Sequence, residues 1–233
     1  MSYFLLEENT KTLLPDEAHH IIKVLRMKIG DIIEATDGQG NVYKGQISST
    51  EPFGIDILSN THLESPKIRI RVIISAIKIP LLELIIQKLT EIGIDEIIIT
   101  HTDFSQISLK NIIPKWERFK TIILTACKQS ERVYFPEIRI QSLSEIVYSS
   151  DSLNIIGNTQ YTIRDTIPIT HLNIQEVSSI NLFIGPEGGF SEQEYTRLIE
   201  NHQYIPIQLT PHILRSETAA IVGGGIIKML STV

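Results

Sequence analysis

The sequence predicts an α/β protein with a small β-rich first domain and a larger second domain. Residues 1–67 form short alternating segments separated by turns such as Asp37-Gly38-Gln39-Gly40-Asn41, which is typical of a small β-barrel. From Ile68 onward, strands alternate with helices, which is the pattern of a parallel sheet with crossover connections. The predicted domains are therefore 1–67 and 68–233, joined at Ser65-Pro66.

The first domain is predicted to contain strands at 32–35, 42–47 and 55–58 and one helix at 16–25. These strands are predicted because the segments are short and are bounded by turn residues. The helix is predicted because Ala18, Ile21, Ile22 and Leu25 recur at helical spacing.

The second domain is predicted to have strands at 68–77, 95–100, 153–156, 180–184 and 205–209. The consecutive isoleucines of 95–100 indicate a strand buried on both faces. A helix begins at Pro80 and ends at Gly93, with an apolar stripe from Leu82 to Ile92. Two further helices are predicted at 114–129 and 217–230.

The last predicted helix contains three consecutive glycines, Gly223 to Gly225. Each glycine costs a helix about 1 kcal/mol relative to alanine. We interpret them as a face pressed against another backbone, across a dimer or within the core; a local break in the helix is the alternative.

Composition restricts the class of protein. At 233 residues, with 42% hydrophobic and 21% charged residues, the chain is globular rather than disordered, collagenous or coiled-coil. The N-terminal apolar stretch is too short for a signal peptide, and no apolar run approaches the roughly 18 residues of a membrane span. The single cysteine, Cys127, is expected to be a buried small hydrophobe, and the protein is expected to be cytoplasmic.

Charge is distributed unevenly along the chain. A net charge of −6 counts against a protein that coats nucleic acid. The segment from Ser105 to Ile140, however, contains seven basic residues and only three acidic ones. This segment is either a phosphate-contacting patch or a solvated helix face.

Two segments near the end of the chain carry the functional signal. Ile184-Gly185-Pro186-Glu187-Gly188-Gly189-Phe190 is a glycine turn that follows a buried strand, and Ser191 with Glu194 has the spacing of a capping box. Ligands of open α/β sheets bind at such carboxyl strand ends. Glu187 is either a solvated turn residue or a carboxylate that contacts a ligand or holds the neighbouring loop.

The second segment, Leu214-Arg215-Ser216-Glu217-Thr218-Ala219, places Arg215 and Glu217 at a strand-to-helix junction. They form either a surface ion pair or part of a site. The chain has no P-loop, no Rossmann fingerprint, no nucleophile elbow and no metal-ligand spacing among its seven histidines. No metal is therefore expected.

With these residues, the sequence resembles the RsmE family of 16S rRNA uracil-N3 methyltransferases of the SPOUT superfamily. The most specific matches are GPEGGFSEQE and ILRSETAA, in this order and about 25 residues apart. Further matches are Val24-Leu25-Arg26, Asp37 to Gly40, Gln87-Lys88 and Gln129-Ser130. The sequence departs from the family pattern at Ile79-Pro80-Leu81, Phe104, Glu131, Thr210 and His212, and at Asn158 to Gln160.

The resemblance implies a PUA-like β-barrel followed by a SPOUT domain with a C-terminal trefoil knot and a homodimer formed through the knotted region. It also implies S-adenosylmethionine as cofactor and the small ribosomal subunit, through its 16S rRNA, as partner. The residues expected to hold the cofactor are Ile184, Gly185, Pro186, Glu187, Gly188, Leu209, Ile213 and Leu214.

Arg215 is expected to stabilise the uracil imide anion, and Glu217 to orient Arg215 or to accept the N3 proton, with orientation preferred. RNA contacts are expected at Arg26, Lys28, Lys115 and Arg132. Two other functions remain open: an inactive RNA-binding or ribosome-assembly factor on the same fold, and a SPOUT methyltransferase that acts on tRNA. The intact Arg215 and Glu217 pair counts against the first, and the barrel matches count against the second.

Overall fold

The computed structural model describes residues 3–6, 13, 15–157, 166–174 and 177–232, so the departures from the family pattern at Asn158 to Gln160 lie outside the described residues. Its contacts divide the chain into two units. Unit 1 comprises Met1–Pro66 with Leu124–Phe135, and unit 2 comprises Lys67–Ile123 with Pro136–Val233. The sequence predicted one boundary near residue 67 and did not anticipate that 124–135 would group with the first unit.

Unit 1 contains a four-stranded sheet in the order β1-β2-β3-β4, in which β1 is parallel to β2 and the other pairs are antiparallel. A short helix, α1, leads into a π-helical turn at His20–Val24, where a single helix was predicted. A closed barrel stays a prediction. The elements are β1 Phe4–Leu5, α1 Pro15–His19, β2 Ile32–Thr36, β3 Asn41–Thr50 and β4 Phe53–His62.

Unit 2 contains a seven-stranded sheet in the order β7-β6-β5-β10-β8-β11-β9, and every neighbouring pair is parallel. The predicted α/β class is confirmed. All five residues of β6 are buried, as its isoleucines predicted. The strands are β5 Arg69–Ser75, β6 Glu96–Thr100, β7 Glu137–Ile140, β8 Ser152–Gly157, β9 Ile167–Pro168, β10 Ser179–Ile184 and β11 Ile205–Gln208.

The further α-helices in the described ranges are α2 Ile79–Ile92, α3 Leu109–Ile112, α4 Trp116–Gln129, α5 Glu192–His202 and α6 Ser216–Ser231, and α4 runs from unit 2 into the part of the chain that groups with unit 1. Helix α2 has Pro80 in its first turn and ends at Gly93, whose φ of 97° is left-handed. Ser191 and Glu194 form the predicted capping box at the start of α5.

Two of the three glycines of α6, Gly223 and Gly224, are buried in the core of unit 2. A Cβ at Gly223 would come within 2.8 Å of Leu182 Cδ2, and one at Gly224 within 2.9 Å of Leu89 Cδ2. A Cβ at Gly225 would meet nothing within 4 Å. Gly223 and Gly224 therefore face the core, as one of the two alternatives predicted, but they pack against leucine side chains and not against another backbone.

We expect Gly223→Ala to lower the free energy of unfolding by about 1–2 kcal/mol. Overpacking costs ~1–3 kcal/mol, and the gain in helix propensity offsets up to ~1 kcal/mol of that. Urea denaturation measures the change, with Thr218→Ala, at an exposed position of the same helix, as control. Equal stability of the two variants would mean that Leu182 moves aside without cost.

Cys127 is fully buried, as predicted, and burial raises the pKa of its thiol to about 12. At pH 8 the thiolate fraction is then about 10⁻⁴. We expect an alkylating reagent to modify Cys127 only in molecules that have unfolded. The rate of modification should therefore rise with denaturant concentration. Rapid modification of native protein at pH 8 would contradict this.

Candidate functional site

A pocket lies at the carboxyl edge of the unit 2 sheet, where the neighbouring strands β10, β8 and β11 end. The two segments identified in the sequence, 184–190 and 214–219, supply half of its lining residues, and the loop 209–213 between β11 and the second segment supplies five more. The lining residues are Gly157, Thr166, Ile184, Gly185, Pro186, Glu187, Gly189, Phe190, Ile207, Gln208, Leu209, Thr210, Pro211, His212, Ile213, Leu214, Ser216 and Ala219.

The glycine loop, residues 185–189, is a tight turn after the buried strand β10. Gly189 N donates to the carbonyl oxygen of Pro186 at 2.9 Å, and Gly189 adopts a φ of 72°. A Cβ at Gly185 would lie 2.9 Å from the ring of Phe190, which packs edge-on against Phe183 with ring centroids 4.9 Å apart. Packed rings therefore support bare backbone that a ligand can approach.

Seven of the eight residues expected to hold a cofactor line this pocket. Gly188 is the exception: it is exposed, and a Cβ there would meet the Cβ of Phe104 at 3.2 Å. Glu187 is exposed and is the only carboxylate in the described lining. Gly157 at the end of β8 was not predicted, because a single glycine after an apolar strand carries no distinctive signal.

The loop between β11 and α6 is closed by a threonine turn. Thr210 Oγ1 donates to the carbonyl oxygen of His212 at 2.8 Å and accepts from His212 N at 3.2 Å. Both residues line the pocket. Thr210 and His212 therefore shape one wall of the pocket through a hydroxyl-centred turn.

Arg215 and Glu217 lie at the start of α6 but differ in burial. Arg215 is the N-cap residue and is exposed, whereas Glu217 is 9% exposed in the first turn. Ser216, between them, donates its hydroxyl hydrogen to the carbonyl oxygen of Gly185 and so ties α6 to the glycine loop.

Glu217 Oε2 is buried and has no hydrogen-bond partner among the described residues. Among the described residues, Arg215 and Glu217 form neither a hydrogen bond nor an ion pair with each other. The preferred orienting role therefore has no contact that supports it here. A buried carboxylate oxygen without a partner is costly, which is typical of a group kept for a ligand or for chemistry.

Three basic residues of this segment form ion pairs with acidic residues that lie outside it. Arg118 pairs with Glu83, and Lys128 Nζ lies 2.6 Å from Glu17 Oε1. Arg139 pairs with Glu96 and Glu137. Part of this patch is therefore a network of ion pairs rather than free positive charge.

Of the four residues expected to contact RNA, Arg26, Lys28 and Lys115 are exposed. Arg132 is half-buried and donates through Nε to the carbonyl oxygen of Tyr134. Arg26, Lys28 and Arg132 belong to unit 1, and Lys115 belongs to unit 2.

Two negative observations apply to the described ranges only. No helix there combines the length and apolarity needed to cross a membrane. No group of three or more His, Cys, Asp or Glu side chains there could hold a metal ion.

The chain matches two family models. An RNA methyltransferase domain matches residues 63–228, and an RNA methyltransferase PUA domain matches residues 13–55. The ribosomal RNA small subunit methyltransferase E of Buchnera aphidicola subsp. Acyrthosiphon pisum is 31% identical over 230 residues, which cover 94% of this chain and 85% of that protein.

Solved structures of related proteins superpose on this chain over nearly its full length. A probable rRNA methyltransferase from Porphyromonas gingivalis superposes with a TM-score of 0.89 at 26% identity, covering 100% of this chain and 99% of the other. The ribosomal RNA small subunit methyltransferase E of Neisseria gonorrhoeae, bound to S-adenosyl methionine, gives 0.82 at 25% identity, covering 99% and 98%. The predicted resemblance is confirmed: the chain belongs to the ribosomal RNA small subunit methyltransferase E family, whose members are RNA methyltransferases.

Proposed function

We propose that the protein transfers a methyl group from S-adenosylmethionine to N3 of a uridine in 16S rRNA of the small ribosomal subunit. The observation that carries this proposal is the pocket at the carboxyl sheet edge, walled by the glycine loop and by the segment that leads into Arg215 and Glu217. The substrate follows from family membership, because relatives over nearly the whole chain are named for small-subunit ribosomal RNA.

The lining fits the cofactor in three ways. Ile184, Leu209 and Leu214 offer apolar surface for the adenine ring, and glycine backbone offers amide and carbonyl groups for the polar parts. The carboxylate of Glu187 complements a cationic ligand. The bound cofactor supplies a methyl group on a sulfonium, which needs no further activation.

The residues of the chain prepare the uracil. Its N3 carries a proton and is a weak nucleophile until that proton leaves. Arg215, a permanent cation with a forked donor, stabilises the imide charge on O2, N3 and O4. Glu217 accepts the N3 proton, directly or through water, because its Oε2 has no other partner in the described chain. The N–CH₃ bond forms as the S–CH₃ bond breaks, and S-adenosylhomocysteine leaves.

The remaining assignments belong to the same proposal. Residues 1–67 form a PUA-like barrel that docks RNA through Arg26 and Lys28, with Lys115 and Arg132 contacting phosphate. Residues 68–233 form a SPOUT domain whose C-terminus is knotted. The methylated base is extruded from its stack to reach the pocket. The protein acts in the cytoplasm.

Nucleoside mass spectrometry tests the function. Small subunits from cells that lack this protein should gain one 3-methyluridine per 16S rRNA when incubated with the protein and S-adenosylmethionine. A tRNA pool treated in parallel should gain none. Modification of tRNA instead would favour the tRNA enzyme, and modification of neither would favour the inactive factor.

The homodimer is proposed to form on the open side of α6. Gly225 faces free space and Met229 is 73% exposed, so a second chain can approach there closely. We expect Gly225→Ala to weaken dimerisation at least tenfold in analytical ultracentrifugation without lowering the stability of the monomer. An unchanged dimer would place the interface elsewhere.

A further inference from the structure

Phe104 is an exposed aromatic side chain beside the glycine loop. Half of its surface is accessible, and no other Phe, Tyr or Trp side chain in the described ranges is as exposed. It follows β6 and therefore lies at the same carboxyl sheet edge as the pocket. Its Cβ is the nearest atom to the position that a Cβ of Gly188 would take, 3.2 Å away.

The loop that carries Phe104 is held rigidly on both sides. Asp103 N donates to Glu194 Oε1 at 2.8 Å, and Asp103 Oδ2 accepts from Ser191 Oγ at 2.5 Å. Thr102 N donates to Ser105 Oγ at 2.9 Å, and Thr102 Oγ1 donates to Ser75 Oγ at 2.9 Å. The neighbours of Phe104 are thus anchored while its ring stays in solvent, so a stacked ligand would order little additional backbone.

The position of Phe104 relates to the proposed chemistry. Ser216 is tied to Gly185 at one end of the glycine loop, and Phe104 lies beside Gly188 at the other. Three residue steps span at most about 11 Å. Phe104 and Ser216, the neighbour of Arg215 in the chain, therefore lie at opposite ends of one short loop.

We infer that Phe104 is a stacking platform for an unpaired RNA base next to the methylated uridine, an inference that rests on the proposed function. Unstacked bases bind aromatic faces in sequence-tolerant fashion, and an extruded uridine leaves its neighbours without a stacking partner. Phe104 thus positions the strand whose uracil enters the pocket, and it has no part in the transfer itself.

Steady-state kinetics on small ribosomal subunits test this role. Phe104→Ala and Phe104→Leu should each raise the KM for subunits about tenfold, whereas Phe104→Tyr should stay within twofold of the wild type. The affinity for S-adenosylmethionine in calorimetry should be unchanged in all three. Val147→Ala, at a 79% exposed apolar residue beside Arg71, is the control and should behave as the wild type.

Wild-type KM in Phe104→Ala or in Phe104→Leu would overturn the stacking role, since leucine keeps the apolar contact without the aromatic face. A parallel loss of cofactor affinity would also overturn it, because Phe104 would then support the glycine loop.

A fluorescent variant separates this inference from the proposed function. The chain has a single tryptophan, Trp116, so Trp116→Phe with Phe104→Trp places the only indole at the platform. Its emission should be quenched in the complex with protein-free 16S rRNA, and an unquenched complex would refute stacking. If the wild type forms no 3-methyluridine in 16S rRNA, the proposed function fails while this quenching still reports on base stacking.

Discussion

Arg215→Ala should lower the kcat for methylation of small ribosomal subunits by about 10²–10³, because it removes the cation that faces the developing imide charge. The affinity for S-adenosylmethionine should stay within twofold of the wild type. The Arg215 side chain is exposed and is not part of the pocket lining, although both of its neighbours are. Single-turnover methylation and calorimetry on the same preparations measure the two quantities.

Arg215→Ala should not lower the free energy of unfolding. A cation at a helix N-terminus opposes the helix dipole, so Arg215 gives α6 no electrostatic support there. Arg197→Ala, at an exposed position of α5, is the matched control and should keep full activity. Equal losses of cofactor affinity and of kcat would assign Arg215 to cofactor binding or to structure. Arg215→Lys should recover only part of the rate, because an ammonium lacks the forked donor.

Elements with strong local signals could be predicted from the sequence. Helix α2 was expected between Pro80 and Gly93, and it spans Ile79–Ile92. Strand β7 was missed because its alternating Glu137 and Arg139 point to solvent and pair with each other, which weakens the apolar signal of an edge strand. Strand β9 has only two residues, too few for any periodicity.

The two segments of the candidate site could be predicted from the sequence, but the positions of their side chains in three dimensions could not. Spacing placed Arg215 and Glu217 two residues apart and suggested that they pair. Around a helix start, however, the N-cap residue and the second helical residue point in different directions, and here one side chain is exposed and the other buried. Likewise, nothing in sequence connects Phe104 with Gly188, because their contact depends on how the loops after β6 and β10 are arranged.

Glu217→Gln should separate catalysis from stability more sharply than any other substitution in the site. Glutamine keeps the shape of the side chain and cannot accept the N3 proton, so kcat should fall by about 10²–10⁴. The free energy of unfolding should change by less than about 1 kcal/mol. The buried Oε2 has no hydrogen-bond partner among the described residues to lose, and the substitution removes only the ~0.3–1 kcal/mol that the charge gains from the helix dipole.

The pH dependence of this variant distinguishes the two roles of Glu217. If the carboxylate accepts the proton, the Glu217→Gln rate should rise with pH towards that of the wild type, because the imide then loses its proton to solvent. If Glu217 only orients Arg215, the loss should be the same at every pH, and Glu217→Gln combined with Arg215→Ala should be no worse than Arg215→Ala alone. Because the two side chains share no contact in the described chain, we expect the pH-dependent rescue.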